Sequence, residues 1–256
     1  MLKFVPSKKW HLAIKVAPFV IAILSVKFFA HFYGLEFLSL SPLFGALISA
    51  NVFLVGFLIS GVLGDYKESE RLPGEIACSL EVLRDEAAIV GLNHKSPVPG
   101  LLHAHANLLL SSILAWFHKK ERTWDLLNKL SDLNPIFLEM EPLTQANFIV
   151  RLKQEQSNLR KMIVRIHTIR ETSFNSAGYA IAEMFSAFLS IGLIFTKIDP
   201  YYESVFFVAF VSSVLIYMVF LIKDLDNPFN YYAEDSLIDN VSLAPLYALQ
   251  RRMEKG

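Results

Sequence analysis

Ser49, Phe53, Phe57, Ser60 and Gly64 follow one another at steps of four, four, three and four residues, the spacing that puts side chains on one face of an α-helix. Hydroxyls and aromatic rings in that order suit the handling of ions in a narrow path. A serine hydroxyl both donates and accepts, so it serves an ion of either sign, and a ring of phenylalanines narrows a pore and excludes water. The same spacing has a plainer use. Small residues four apart, such as Gly45/Ser49 and Gly56/Ser60/Gly64, let membrane helices approach closely. Periodicity alone does not choose between a packing face and a pore wall. Asn51 points almost the opposite way.

Other reactive side chains carry less. His103 and His105 are two apart, so on a helix they diverge and cannot share a metal, which leaves them a core or interface role. Cys78 has no histidine near it in sequence and reads as a small buried hydrophobe. A Gly-rich phosphate loop, a nucleophile elbow and an HExxH pair are all absent from the sequence, so no enzyme is expected. Lys27 and Glu183 lie inside apolar stretches, where a charge must face protein or water rather than lipid. Their depths differ, which argues against their pairing, and Lys15 is the better-placed partner for Glu183. A structural tie is the plain reading of both charges and a part in conduction the functional one.

The elements that position these residues are long apolar helices. Pro42 to Gly64 runs 23 residues without a charge, enough to cross a hydrocarbon core of roughly 30 Å at about 1.5 Å per residue. It ends abruptly at Asp65-Tyr66-Lys67-Glu68. Residues 12–33 form a first span behind a basic terminus with Trp10, residues 177–196 a third and 204–222 a fourth, with a turn at Pro200 between the last two. The basic start resembles a secretory leader in charge, but no small-x-small cleavage site follows Leu24. The stretch 65–176 reads as all helix: Glu75–Asn93, a break at Ser96–Gly100, Leu101–Lys120, Thr123–Asp132 closed by Asn134-Pro135, and Thr144 to about Phe174. Residues 223–256 make a polar, amphipathic tail.

At 256 residues and 54% hydrophobic the chain is too apolar for an ordinary soluble domain, and 24 basic against 24 acidic residues give no field for nucleic acid. Four Lys or Arg precede or begin the first span, fourteen lie between spans two and three and four in the tail, whereas the two short loops hold only Lys197. That bias puts residues 1–11, the middle domain and the tail in the cytoplasm. The single cysteine excludes an internal disulfide.

Pro42-Leu43-Phe44-Gly45, Phe53-Leu54-Val55-Gly56-Phe57 and Glu70-Arg71-Leu72-Pro73 resemble, in order and spacing, the second transmembrane helix of bestrophins, in particular the bacterial bestrophin-like branch. Lys223-Asp224-Leu225-Asp226-Asn227-Pro228-Phe229, followed by Glu234, Asp235 and Asp239, is similar to the segment that follows the last bestrophin span. In that family the second helix lines the neck of a central pore, and the acidic run of animal members forms a calcium clasp. Here Asn230 stands where the family has glycine, and two tyrosines intervene before sparse acids. A calcium site needs six to eight oxygens in one place, so calcium binding at Glu234, Asp235 and Asp239 is not the expectation, and no other cofactor is.

The sequence thus predicts an all-α polytopic membrane protein with four spans and a cytoplasmic helical domain between spans two and three. The resemblance implies a homo-oligomer, a pentamer, in the cell inner membrane. It also implies passive ion flow past Ser49, Phe53, Phe57, Ser60 and Gly64, with anions (chloride) ahead of cations. The expected partners are the lipid bilayer, copies of itself and permeating inorganic ions. The alternative from another class is a non-conducting membrane scaffold whose helical domain binds a partner protein.

Overall fold

A computed structural model describes residues 10–93, 96–172, 176–226, 228–229, 231 and 240–254. In chain order the elements are α1 (His11–Phe32), β1 (Leu38–Ser39), α2 (Pro42–Asn93), α3 (Val98–Phe117), α4 (Thr123–Ser131), α5 (Leu133–Met140), α6 (Ala146–Glu171), α7 (Ser176–Phe195), β2 (Thr196–Lys197), α8 (Tyr201–Leu225) and α9 (Ala244–Met253). The described residues form two compact units, one drawn from 1–66 and 173–227, the other from 67–172, 228–234 and 240–256.

The first unit holds α1, the first part of α2, α7 and α8. Among these, α1, α7 and α8 pack closely on one another. A Schellman turn ends α1: Gly34 takes a φ of 67°, its N–H donates to His31 O, and the N–H of Leu35 donates to Ala30 O at 2.8 Å. A residue with a Cβ adopts that backbone only at a cost, which is why glycine sits there. The turn sends the chain back past its own helix end, where Leu38 and Ser39 pair in parallel with Thr196 and Lys197. No strand was legible in the sequence, because two residues a side carry no periodicity.

The second unit is a helical bundle built from the rest of α2, α3 to α6 and α9. Its core is the apolar stripe of each: Ile76, Leu80 and Leu83 from α2, Leu102 and Leu109 from α3, Leu159, Ile163 and Ile166 from α6, and Leu246 and Leu249 from α9. Phe229 is fully buried in the same core, 5.8 Å from the ring of Phe117. Phe229, in the segment that follows α8, therefore supplies a core anchor.

Several boundaries differ from those read in sequence. The charges at Asp65 to Glu68 end the apolar run but not the helix: α2 continues through Pro73 for 52 residues in all. Charged side chains end a membrane span without breaking helical hydrogen bonding, and one interior proline removes a single backbone donor. The α3 helix starts at Val98 rather than Leu101, with a proline in its opening positions, where the missing N–H has no helical partner to lose. The same reasoning explains α5, which the sequence reading passed over: Pro135 falls in its first turn. Cys78, read as buried, is exposed. It follows Ile76 and Ala77 on the helix, and the core contacts go to Ile76, Ala77 and Leu80.

Candidate functional site

The stripe that opened the sequence reading lies on α2 in the first unit. Phe53 is 78% exposed and Phe57 67%. Ser49, Gly56, Ser60 and Gly64 are exposed too, and around both Gly56 and Gly64 there is open space where a Cβ would stand. At about 100° per residue Ser49, Phe53, Phe57, Ser60 and Gly64 fall within an arc of about 80°. The Ser49 hydroxyl donates to Gly45 O at 3.0 Å, a bond that satisfies it within its own helix and leaves its lone pairs outward.

The opposite side of α2 is buried. Val55, Leu58 and Val62, at most 2% exposed, pack with Ala182 of α7 and Ile222 of α8. Asn51 belongs to this side. It is 1% exposed, and its Nδ2 donates to Ser186 Oγ of α7 at 3.0 Å. Higher up, the ring of Phe44 lies so close to Gly192 of α7 that a Cβ there would come within 2.8 Å of Cε2. Van der Waals, polar and close-approach contacts thus orient one side of α2 inward and leave the Ser/Phe/Gly side outward.

The two charges within the apolar helices find separate partners. Lys27 of α1 is fully buried; its ammonium donates to Ile194 O at 3.2 Å and to Thr196 O at 2.5 Å, and forms an ion pair with the Glu36 carboxylate at 2.5 Å. Ile194 is in the last turn of α7, so the lysine serves carbonyls that the helix end leaves unpaired and complements its dipole. Glu36, 8% exposed at its side chain, also accepts from His31 Nδ1 at 2.8 Å, and the His31 ring stacks on Tyr201 of α8 at 4.0 Å. Burial works to raise the Glu36 pKa, but the hydrogen bonds and positive charge of Lys27 and His31 outweigh it, and the carboxyl titrates below its ordinary value. Glu183 pairs with Lys223 at 2.8 Å, a partner in α8 that the sequence reading did not name. Glu36 was legible only as a lone acid in an uncharged loop; what joins it to Lys27 is the glycine turn at Gly34.

The remaining singled-out residues lie apart from this site. His103 Nε2 accepts from Arg84 Nε at 2.8 Å, and His105 Nε2 meets Lys129 O at 2.8 Å. Among the described residues no three His, Cys, Asp or Glu side chains converge on a metal position. Glu234, Asp235 and Asp239 lie outside the described residues.

The fold so defined is that of a known class of membrane protein. The chain superposes on the crystal structure of a bacterial bestrophin homologue from Klebsiella pneumoniae with a TM-score of 0.74 at 15% identity, over 97% of this chain and 98% of that one. Two single-residue variants of that homologue give 0.74 at 16% identity over 98% of each chain, and 0.78 at 15% over 95% of this chain and 97% of that one. No protein-family model and no curated protein sequence matches the chain. The protein has the all-α bestrophin fold over nearly its whole length.

Proposed function

We propose that the protein is a bestrophin-like ion channel, a homo-oligomer in which α2 of each copy lines a central path. The observation that carries this reading is the exposure of Phe53 and Phe57, 78% and 67%, beside Ser49, Ser60 and Gly64 on one side of an apolar helix. A helix side turned only to lipid has no use for hydroxyls and glycines in a row, whereas copies arranged about an axis bring those groups together. Stacked phenylalanines one turn apart form a dry constriction, where an ion loses hydration and gains no hydrogen-bond partner. The fold it shares with bacterial bestrophin homologues supports an oligomeric membrane protein, and the pentamer is the number that the family resemblance implies. Anions come ahead of cations on the same likeness.

Four spans fit this reading: α1, α2 from Pro42 to Gly64, α7 and α8. Among the described residues, five helical stretches are long and apolar enough to cross a membrane by length and composition, Val98–Phe117 among them. That helix buries Leu102, Leu109 and Phe117 completely in the core of the second unit, so its apolar side needs no lipid. The distribution of Lys and Arg supports an orientation with both termini and the second unit on the cytoplasmic side of the inner membrane. Lys27 and Glu183 act as ties between helices, since each has its counter-charge within the unit. A second reading, a scaffold that passes no ions and binds a protein through its helical unit, draws on exposed Trp124, Leu138 and Val150.

The gate is tested by Phe53→Ala/Phe57→Ala in purified, reconstituted protein. Removing both rings admits water, and flux rises with loss of selectivity, while Leu54→Ala leaves conduction near wild type. A double variant that assembles and conducts like the parent removes the gate from α2 and returns the stripe to helix packing.

A further inference from the structure

The hold of α2 on its own unit is narrow. Whereas α1, α7 and α8 pack closely together, α2 meets them along one side: a central stripe of five, Phe44, Asn51, Val55, Leu58 and Val62, flanked by the partly buried Leu54 and Ile59. These five fall at about 140–200° from Phe53 on the helix wheel. Aliphatic contacts are non-directional and persist when a helix turns or slides by a small angle. Beside them an apolar crevice of about 270 Å³, lined by Phe44, Leu47, Ala50, Phe185, Phe188 and Leu189, runs along the α2–α7 seam and leaves room for such a turn.

Asn51 is the hydrogen-bonding member of the stripe. Its Nδ2 bonds Ser186 Oγ at 3.0 Å with both side chains buried, whereas its Oδ1 has no partner among the described residues. An amide in apolar surroundings is costly unless bonded, so the bond selects one setting of the helix. A carbonyl oxygen left over makes the amide only half-satisfied, and any setting that offers both partners competes with the one observed.

We propose that the Asn51–Ser186 hydrogen bond fixes the rotation of α2 about its axis and thereby sets which residues α2 turns to the ion path. Asn51 is a positioning residue: it lies on the far side from the conduction face and acts through the helix that carries Phe53 and Phe57. The proposal rests on the reading of that face as pore-lining. A bond of this kind between membrane helices shifts the ratio of two settings by about 3- to 20-fold, equivalent to 0.6–1.7 kcal/mol at about 1.4 kcal/mol per tenfold.

The experiment uses the full chain with Cys78→Ser, reconstituted in liposomes, and carries one reporter cysteine at a time, Phe57→Cys on the face or Leu54→Cys beside it. The readouts are the rate of modification by a water-soluble methanethiosulfonate and the ion flux. With Asn51 and Ser186 intact, the cysteine at position 57 reacts faster than that at 54. Asn51→Leu narrows that contrast 3- to 20-fold and alters flux, Ser186→Ala does the same, and the two together do no more than either alone. The exchanged pair Asn51→Ser/Ser186→Asn restores the parent pattern, which a merely stabilising contact elsewhere would not do. Ser186→Ala deletes one oxygen, so it keeps the test open where Asn51→Leu does not assemble. Unchanged contrast and flux in Ser186→Ala, or additive effects in the double variant, overturn the proposal. If Phe53→Ala/Phe57→Ala raises flux while the Asn51 and Ser186 variants change nothing, positioning fails and the pore reading stands. If the cysteine at 57 is never modified, the pore reading itself fails.

Discussion

Replacing Lys27 by methionine keeps an unbranched side chain, one heavy atom shorter, and removes its charge. In the intact protein the ammonium is fully buried and bonded to Ile194 O, Thr196 O and the Glu36 carboxylate. Methionine strands all three, and Glu36, 8% exposed, keeps only His31. Removing one partner of a buried ion pair costs roughly 3–5 kcal/mol, which at about 2–4 °C per kcal/mol for a chain of this size lowers the melting temperature by about 6–20 °C. Far-ultraviolet circular dichroism of the detergent-solubilised protein measures it. Lys27→Met/Glu36→Gln removes both charges and recovers part of the loss, because a matched neutral pair leaves no charge uncompensated. The same cluster gives a pH dependence. Since Glu36 titrates below its unfolded value of about 4.3, its contribution is complete above that pH and disappears as pH falls through the lower folded value. Glu36→Gln therefore flattens the acid limb of the melting curve. A Lys27→Met protein melting within about 2 °C of the parent refutes the whole account of the cluster.

Two further outcomes follow from other parts of the fold. Gly192→Ala drives a methyl against the Phe44 ring, 2.8 Å away before relaxation, and destabilises by about 1–3 kcal/mol; Phe44→Leu in the same chain relieves it, and a thermal double-mutant cycle reads the coupling. A protease added outside sealed cells leaves the chain between Lys95 and Lys129 intact and cuts it in inverted vesicles, whereas external cleavage reverses the orientation.

The shared face of Ser49, Phe53, Phe57, Ser60 and Gly64 was legible in the sequence because helical period is a local property: residues at this spacing share a face wherever a helix forms. The helices of the second unit were legible for the same reason, since Ile76, Leu80, Leu83, Leu159, Ile163 and Ile166 recur at core spacing and all are buried. What escaped depends on neighbours distant in sequence. The Lys27–Glu36 pair needs the glycine turn, the Glu183–Lys223 pair joins residues 40 apart in sequence, and Asn51–Ser186 spans 135. The proline rules also misled in one direction. Pro73, Pro99 and Pro135 all lie within helices, two of them in opening turns where proline costs nothing.

Ion flux from the purified wild-type protein in sealed liposomes tests the channel reading most directly. The account predicts passive flux that follows the imposed gradient, scales with protein content and rises in Phe53→Ala/Phe57→Ala. Liposomes carrying assembled protein, wild type and double variant alike, that stay as ion-tight as protein-free ones contradict it.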